Sequence, residues 1–427
     1  MNFIRQLRER PFAQHLLTLT SATALAQLIP LLISPLLTRL YSPEDMGLFG
    51  LFTSTLSILC ILLTLRLELG LVSAQRMTIG IRLYHKVFVQ VCILSLVFFA
   101  CSFVLTFEGL PLESLADSYY WLLPAMAFIA FTTLSQQLYN RQKYRNAMAV
   151  AQIIRALLIA AVSIVAGLAG LSSGLLMGYT AGFVLSWWLV YRRSLRWVFN
   201  KTLWKTSYAQ SIKPFKALPL YQMPHALVNT LHLSLPVYLF TLWESLAFSG
   251  HYALAYRVAV APTVIISSVL YQLLYARFAE YQRQGKPVFA ESIKVIKWLI
   301  LFFGVAYSVL ALISPDVFAV VFGAQWETAG WITTCLAPWV CIRAIAGPLA
   351  FMPLLANKQR AAFLIECGYF LAAFLAIYLG TLHPNSYAKV IALSLVSAVF
   401  VCGQLFWYLV LAYRLTKQPL VQQQVAV

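Results

Sequence analysis

The chain has 427 residues, of which 61% are hydrophobic and only 10% are charged. A typical soluble domain is about 45–50% apolar and about 25% charged, so the composition excludes a soluble globular protein. Because the apolar residues are spread along the whole chain, most of the protein requires a bilayer as its solvent. The sequence therefore predicts an all-α polytopic membrane protein.

The net charge is strongly positive. Thirty-one Lys and Arg stand against 13 Asp and Glu, which gives +18. In a soluble protein this excess would indicate a nucleic-acid partner, but in a polytopic protein it reports orientation, because cytoplasmic loops are enriched in Lys and Arg. We expect membrane lipids, and no nucleic acid, as partners of these charges.

Apolar runs of about 20 residues, long enough to cross a bilayer, predict about twelve transmembrane helices. In chain order they cover residues 14–38, 46–75, 87–107, 119–139, 147–169, 174–191, 218–242, 249–276, 295–314, 331–356, 361–380 and 388–412. With both termini in the cytoplasm, nearly all loop cations lie inside, and the outer side has only Arg39 and Lys389. This asymmetry favours the predicted count and orientation.

The largest basic loop divides the chain into halves. We predict an N-terminal six-helix bundle over 1–191, a cytoplasmic basic linker over 192–217, a C-terminal six-helix bundle over 218–413 and a cytoplasmic tail over 414–427. Aromatic residues interleaved with cations in the linker are typical of an amphipathic interfacial helix.

The halves share a weak internal repeat. SPLLTRLYSPEDMGLFGLF (34–52) has a loose counterpart in LPVYLFTLWESLAFSGHYALAY (235–256), with a proline late in the first span, an acid in the outer turn and a Gly-x-aromatic opening the second span. Each of these first spans is proline-rich and should kink. Bent helices at matching positions point to a transport path, although prolines are also simply commoner in membrane helices.

Charged residues inside the predicted spans are the most informative feature. They are Arg66, Glu68, Arg155, Arg257, Arg343 and Glu366. Each costs about 2.5–3.5 kcal/mol at the bilayer centre and should face a wet cavity or a partner. A helical rise of about 1.5 Å per residue places Arg66, Arg155 and Arg343 near mid-membrane.

Arginine suits phosphate, because its planar fork donates paired hydrogen bonds and stays charged. Four arginines against two glutamates predict a cationic cavity between the halves for an anionic headgroup. The alternative is that Arg66 with Glu366, or Arg155 with Glu68, form buried ion pairs that only hold helices together. Arg66 and Glu68, two apart on one predicted helix, are not expected to pair with each other.

Polar residues extend this candidate cavity. They are Gln27 in span one, Gln136 in span four, and His225, Asn229 and His232 on one face of span seven. They are suited to sugar hydroxyls or proton relay, and equally to ordinary interhelical hydrogen bonds.

The sequence lacks the motifs that several other functions require. No G-x-x-x-x-G-K-[ST] loop is present, so ATP hydrolysis in this chain is excluded, and transport must use a gradient. Cysteines and histidines do not fall at metal-ligand spacing, and we expect no metal or cofactor. Without an aspartate-rich cluster or a long outer loop, we do not expect an enzyme.

Three segments resemble the Wzx-type polysaccharide flippases of the multidrug, oligosaccharidyl-lipid and polysaccharide (MOP) exporter superfamily. They are LTSATALAQLIPLLISPLLTRLYSPEDMGLFGLFTSTLSIL (19–59), RLELGLV (66–72) and SGHYALAYRVAVAPTVIISSVLYQLLYARFAEY (249–281). The resemblance implies a multi-pass protein of the bacterial inner membrane, with two MATE-like six-helix bundles that open alternately inward and outward.

The resemblance also implies the substrate, an oligosaccharide repeat unit on undecaprenyl diphosphate that crosses to the periplasmic face for O-antigen, capsule or exopolysaccharide assembly. Coupling to H+ or Na+ is implied, with Glu68 or Glu366 as the coupling site, and a polymerase and chain-length regulator as candidate protein partners. Arg66 and Glu68 match the charged pair of the family's second span, and Arg257 the opening of its eighth. The rival interpretations are a gradient-driven drug or metabolite exporter and a polysaccharide polymerase or ligase.

Overall fold

The computed structural model describes residues 28–105, 119–284 and 287–417, and within these ranges the chain is helical with no strand. In chain order, the helices are α1 (Leu28–Leu40), α2 (Pro43–Thr64), α3 (Glu68–Ser73), α4 (Met77–Leu105), α5 (Tyr119–Arg141), α6 (Arg145–Leu168), α7 (Gly174–Ser186), α8 (Met223–Trp243), α9 (Leu246–Arg283), α10 (Val288–Phe322), α11 (Glu327–Ala346), α12 (Gln359–Gly380) and α13 (Ser386–Lys417). Short helical turns connect α7 to α8 and α11 to α12.

The prediction of an all-α multi-pass membrane protein is confirmed. Ten helical segments of the described residues are long and apolar enough to cross a membrane. The shorter α1 and the helix α5 lie where the first and fourth spans were predicted. The count of twelve spans and the cytoplasmic termini stay predictions.

The chain divides into two compact units, Met1–Gly250 and His251–Val427. The predicted domain limits at 191, 217 and 413 stay predictions. In the first unit, α8 packs against α2, and Thr55 on α2 shares a hydrogen bond of 2.7 Å with Tyr238 on α8. The first unit therefore includes α8.

Local sequence fixes the start of α2. Ser42 and Asp45 form a capping box, in which the Asp45 amide donates to Ser42 Oγ at 3.2 Å and the Ser42 amide donates to Asp45 Oδ2 at 3.0 Å. These bonds satisfy backbone donors that a helix start leaves unpaired. Just before the cap, burial and the Asp45 charge raise the pKa of Tyr41 to about 12. The protonated Tyr41 hydroxyl donates to the Ser163 carbonyl at 2.6 Å, which ties the turn before α2 to α6.

The two copies of the internal repeat meet within the first unit. A Cβ atom on Gly47, in the first turns of α2, would lie 2.0 Å from the Leu246 carbonyl oxygen, and one on Gly250, in the first turns of α9, would lie 1.9 Å from that of Pro43. The contact is reciprocal, because each glycine faces the residue four positions before the other. Glycine at these two positions lets the helix backbones touch.

In the second unit, α11 is the central helix. It packs against α10 and α13, and most of its length is buried. Ser314 on α10 shares a hydrogen bond of 2.9 Å with Thr334 on α11. By contrast, α10 exposes large apolar side chains such as Trp298 and Leu312, as expected of a helix that faces lipid.

Candidate functional site

The second predicted span is broken. α2 ends at Thr64, and both Leu65 (φ 49°, ψ 28°) and Arg66 (φ 60°) adopt the left-handed conformation. That conformation costs an L-residue about 1–2 kcal/mol and cannot continue a right-handed helix. The prediction of one span over 46–75 is therefore wrong beyond Thr64. Neither glycine nor proline marks this break in the sequence.

The break changes the expected depth of Arg66. α2 has 22 residues and is about 33 Å long, which already exceeds a hydrocarbon layer of about 30 Å. In the predicted orientation, Arg66 and Glu68 thus lie near the cytoplasmic end of the span. A continuous helix would have placed Arg66 near its middle.

Arg66 and Glu68 form an ion pair, with 3.6 Å between Arg66 Nη1 and Glu68 Oε1. The expectation that they would not pair was wrong, because it assumed an unbroken helix, and the left-handed turn brings their side chains together. Glu68 is only 2% exposed, whereas Arg66 is 35% exposed. The other carboxylate oxygen of Glu68 is buried without a hydrogen-bond partner among the described residues.

Two residues that sequence reasoning missed hold the break in place. Gln90 on α4 donates its Nε2 to the Leu63 carbonyl at 2.8 Å, just before the break. Arg141, at the end of α5, donates Nη1 to the carbonyls of Leu71 (2.8 Å) and Ala74 (2.6 Å) at the end of α3. A guanidinium at a helix C-terminus satisfies unpaired carbonyls and opposes the negative end of the helix dipole. In the sequence, Arg141 was only one cytoplasmic cation among many.

The predicted polar residues of α8 lie partly beside this pair. Arg66 interacts electrostatically with His225, and Asn229, one turn further along α8, is exposed, whereas His232 is buried. Gln27 lies outside the described residues.

Arg155 occupies an aromatic environment between α6 and α7. Its guanidinium carbon lies 4.7 Å from the centre of the Phe183 ring, a cation–π distance, and it interacts electrostatically with Tyr179 and Tyr191. Gln136 on α5 lies beside Tyr191. Arg155 and Gln136 thus both lie near Tyr191, and their shared role in a substrate cavity stays a prediction.

Small residues create this environment. A Cβ on Gly178 would lie 2.1 Å from Ser163 Oγ, and one on Gly182 would lie 2.3 Å from the Ile159 side chain. Only glycine at these positions lets α7 lie against α6, which brings the Phe183 ring to Arg155. The alternative that Arg155 pairs with Glu68 was wrong. Glu68 pairs with Arg66, and Arg155 has no carboxylate partner among the described residues.

In the second unit, Arg343 on α11 is held by aromatic side chains. Its Nη1 donates to the Tyr256 hydroxyl at 2.9 Å, and its guanidinium carbon lies 5.9 Å from the Trp339 ring centre. Tyr256 itself stacks on Trp339 with 5.8 Å between ring centres. Tyr369 on α12 also interacts electrostatically with Arg343. The tyrosines carried no signal in the sequence that separated them from other membrane aromatics.

Glu366 on α12 lies within electrostatic reach of Arg343 and accepts a hydrogen bond from Gln404 on α13. Arg257 is half-buried on α9 and makes an interaction of its own. Each unit therefore contains two of the predicted membrane arginines and one of the glutamates. The structure brings Arg66 to Glu68 in one unit and Arg343 to Glu366 in the other, and the cationic cavity stays a prediction.

Known proteins resemble this chain in sequence. A family model described as "Polysaccharide biosynthesis protein" matches residues 12–282, a range that contains all three segments quoted above. The teichuronic acid biosynthesis protein TuaB of Bacillus subtilis (strain 168) is 24% identical over 200 residues, which are 46% of this chain and 40% of that protein. The chain thus matches less than half the length of this relative.

Solved structures share its fold. The lipid II flippase MurJ matches with a TM-score of 0.69 at 14% identity, over 95% of this chain and 91% of that chain. An inward-facing multidrug resistance MATE family transporter of the MOP superfamily matches with a TM-score of 0.67 at 13% identity, over 94% of this chain and 96% of that chain. At such low identity these matches establish the fold alone, which is MATE-like, as the sequence resemblance implied.

Proposed function

Because the chain belongs to the polysaccharide biosynthesis protein family, we propose that it is a flippase for a lipid-linked polysaccharide precursor in the bacterial inner membrane. The substrate is an oligosaccharide repeat unit on undecaprenyl diphosphate, which moves from the cytoplasmic to the periplasmic face. The product feeds O-antigen, capsule or exopolysaccharide assembly, where a polymerase and a chain-length regulator act next.

The observation that supports this function most directly is Arg155. Its guanidinium is held by rings rather than by a carboxylate, so its hydrogen-bond donors stay available to an anion. A diphosphate cannot cross hydrocarbon unaided, and a planar guanidinium replaces phosphate hydration with paired hydrogen bonds. Tyr179 and Phe183 pack against each other beside this guanidinium. The polyprenyl tail stays in lipid while phosphates and sugars pass through the protein.

We assign each arginine a different step in moving the headgroup. Arg66, partly exposed at the cytoplasmic end and paired with Glu68, receives the headgroup first and exchanges one carboxylate oxygen for a phosphate oxygen. Arg155 and Gln136 hold the headgroup in the first unit, together with His225 and Asn229. Arg257 and Arg343 supply the corresponding charges of the second unit.

Glu68 is the stronger candidate for coupling to H+ or Na+. One of its oxygens is buried without a hydrogen-bond partner in the described part of the chain, so it can take up a proton or bind a cation once Arg66 turns to phosphate. Glu366 is the alternative, although it already accepts a hydrogen bond from Gln404 and lies near Arg343.

Proteoliposomes test the proposal. A fluorescent undecaprenyl-diphosphate oligosaccharide is placed in both leaflets, and an impermeant glycosidase is added outside. With the wild-type protein, the enzyme should cleave all of the labelled lipid. With Arg155→Ala, it should quickly cleave only the lipid in the outer leaflet, and the rest should be cleaved slowly. Sugar chains that lengthen during the assay would indicate a polymerase or ligase.

The competing function is a gradient-driven drug or metabolite exporter, which the shared fold with a MATE transporter favours. The same vesicles loaded with a cationic dye separate the two. Dye efflux under an imposed H+ or Na+ gradient, with no movement of the lipid-linked sugar, would overturn the flippase proposal.

A further inference from the structure

The linker between α7 and α8 forms a folded surface element. We call residues 192–216 the basic strap. Three short helices, Leu195–Val198, Lys201–Trp204 and Tyr208–Ile212, run along it. The prediction of a single amphipathic helix is therefore wrong, because turns at 199–200 and 205–207 divide the segment into short helices.

The basic strap is fastened to α4 of the first unit. Ser194 Oγ and the Tyr84 hydroxyl share a hydrogen bond of 2.8 Å, and the Trp204 ring lies edge-on to His85 with 4.9 Å between centres. Tyr208 donates its hydroxyl to Gln90, the residue that holds the Leu63 carbonyl. These contacts fix one side of the strap and leave the other side open.

Near its end, the strap also touches the short helix α3 that carries Glu68. Phe215 is buried, and a Cβ on Gly70 of α3 would lie 2.9 Å from its ring. Phe215 thus contacts α3 after the break at Leu65 and Arg66, and Tyr208 is linked to Leu63 before the break through Gln90.

The open side combines exposed cations with exposed rings. Phe199 is 72% exposed, and Trp204 is still 56% exposed although its ring contacts His85. Among the side chains that the structure describes in the strap, the exposed cations are Arg192, Arg193, Arg196, Lys205, Lys213 and Lys216. No Asp or Glu occurs between residues 192 and 217, so nothing within the strap neutralises these charges.

The position of the strap determines the surroundings of its exposed cations and rings. One apolar span, Gly174–Val198, ends within it, and the next, Leu218–Trp243, begins directly after it. Both ends of the strap are therefore at the boundary of the hydrocarbon. Aromatic rings and Lys or Arg at this depth contact acyl chains and lipid headgroups respectively.

We propose that the open side of the basic strap binds anionic phospholipid headgroups of the cytoplasmic leaflet. The exposed rings favour a lipid over a soluble polyanion, because they need an apolar phase beside the charged one. Basic residues near an anionic membrane surface each contribute to such binding. The bound lipid is distinct from the transported substrate, so this inference does not depend on the proposed flippase function.

Quenching of tryptophan fluorescence tests the proposal on the full-length protein in neutral detergent micelles. Brominated phosphatidylglycerol and brominated phosphatidylcholine are titrated separately. The signal of the strap is the quenching that disappears in Trp204→Phe. We expect phosphatidylglycerol to quench it at far lower concentrations than phosphatidylcholine.

Charge variants supply the matched comparison. The triple variant Arg192→Gln, Arg193→Gln and Arg196→Gln should weaken phosphatidylglycerol binding about 100-fold, and a second triple at Lys205, Lys213 and Lys216 should act similarly. The control is Lys358→Gln, Arg360→Gln and Arg414→Gln, which removes three exposed cations elsewhere and should leave binding unchanged.

Three results would overturn the proposal. The first is equal quenching of the Trp204 signal by the two lipids. The second is unchanged phosphatidylglycerol binding in both strap triples when they elute and unfold like the wild type. The third is a response of Trp204 to an RNA oligomer or an acidic peptide without any response to phosphatidylglycerol, which would assign the surface to a soluble polyanion.

Discussion

The contact between Gly47 and Gly250 yields the sharpest prediction about the fold. A Cβ at residue 47 would lie 2.0 Å from the Leu246 carbonyl oxygen, whereas ordinary contact begins near 3.4 Å. The backbones would have to separate locally by roughly 1.4 Å, the difference between these distances. Overpacking of this kind costs about 1–3 kcal/mol, and the obstacle is backbone that no side-chain rotation relieves.

Gly304 and Gly403 are the matched controls, because a Cβ at either would meet nothing within 4 Å. Alanine there should stabilise the helix by about 0.5–1 kcal/mol, since it restricts the unfolded chain. The same substitution is therefore predicted to have opposite signs at the two kinds of position.

Thermal unfolding in detergent measures the effect. Gly47→Ala and Gly250→Ala should lower the melting temperature, and Gly304→Ala and Gly403→Ala should leave it unchanged or raise it. The double variant at 47 and 250 should cost less than the sum of the singles, because one separation relieves both clashes. Equal melting temperatures for Gly47→Ala and Gly304→Ala would refute the reciprocal contact.

Three further predictions concern the charged residues. Arg141→Gln should lower the free energy of unfolding by about 1–3 kcal/mol, because it removes charge-assisted hydrogen bonds to the end of α3. The control Arg145→Gln should leave it unchanged, and equal melting curves for the two variants would contradict the capping role of Arg141. Glu68→Gln should retain substrate binding but lose the acceleration of flipping by an imposed H+ or Na+ gradient, and a preserved gradient response would move coupling to Glu366. Arg155→Lys should impair export of surface polysaccharide at normal protein levels, since lysine lacks the fork; full export would show that charge alone suffices.

Composition and periodicity predicted the membrane class and most helices, because bilayer thickness imposes a length and an apolar composition that a single sequence displays. The three quoted segments also led to the correct family. The Gly-x-aromatic motif of the repeat is explained by structure, since Gly47 and Gly250 sit where two backbones touch.

The break after Thr64 could not be predicted, because TLRLEL contains no residue that stops a helix. Contacts from distant helices impose it, through Gln90 on α4 and Arg141 on α5, and override the local preference. The same reason explains the error about Arg66 and Glu68, whose pairing follows from the left-handed turn. Proximity of Arg343 to Glu366 likewise depends on how α11 and α12 lie together.

The central claim is that the protein moves a lipid-linked oligosaccharide across the membrane through its arginines. The most direct test deletes the gene and asks where radiolabelled lipid-linked oligosaccharide accumulates, using an impermeant glycosidase on spheroplasts. We predict accumulation on the cytoplasmic face, protected from the enzyme, with rescue by the wild type but not by Arg66→Ala at equal protein levels. Accumulation of single units on the outer face, or none at all, would contradict the account.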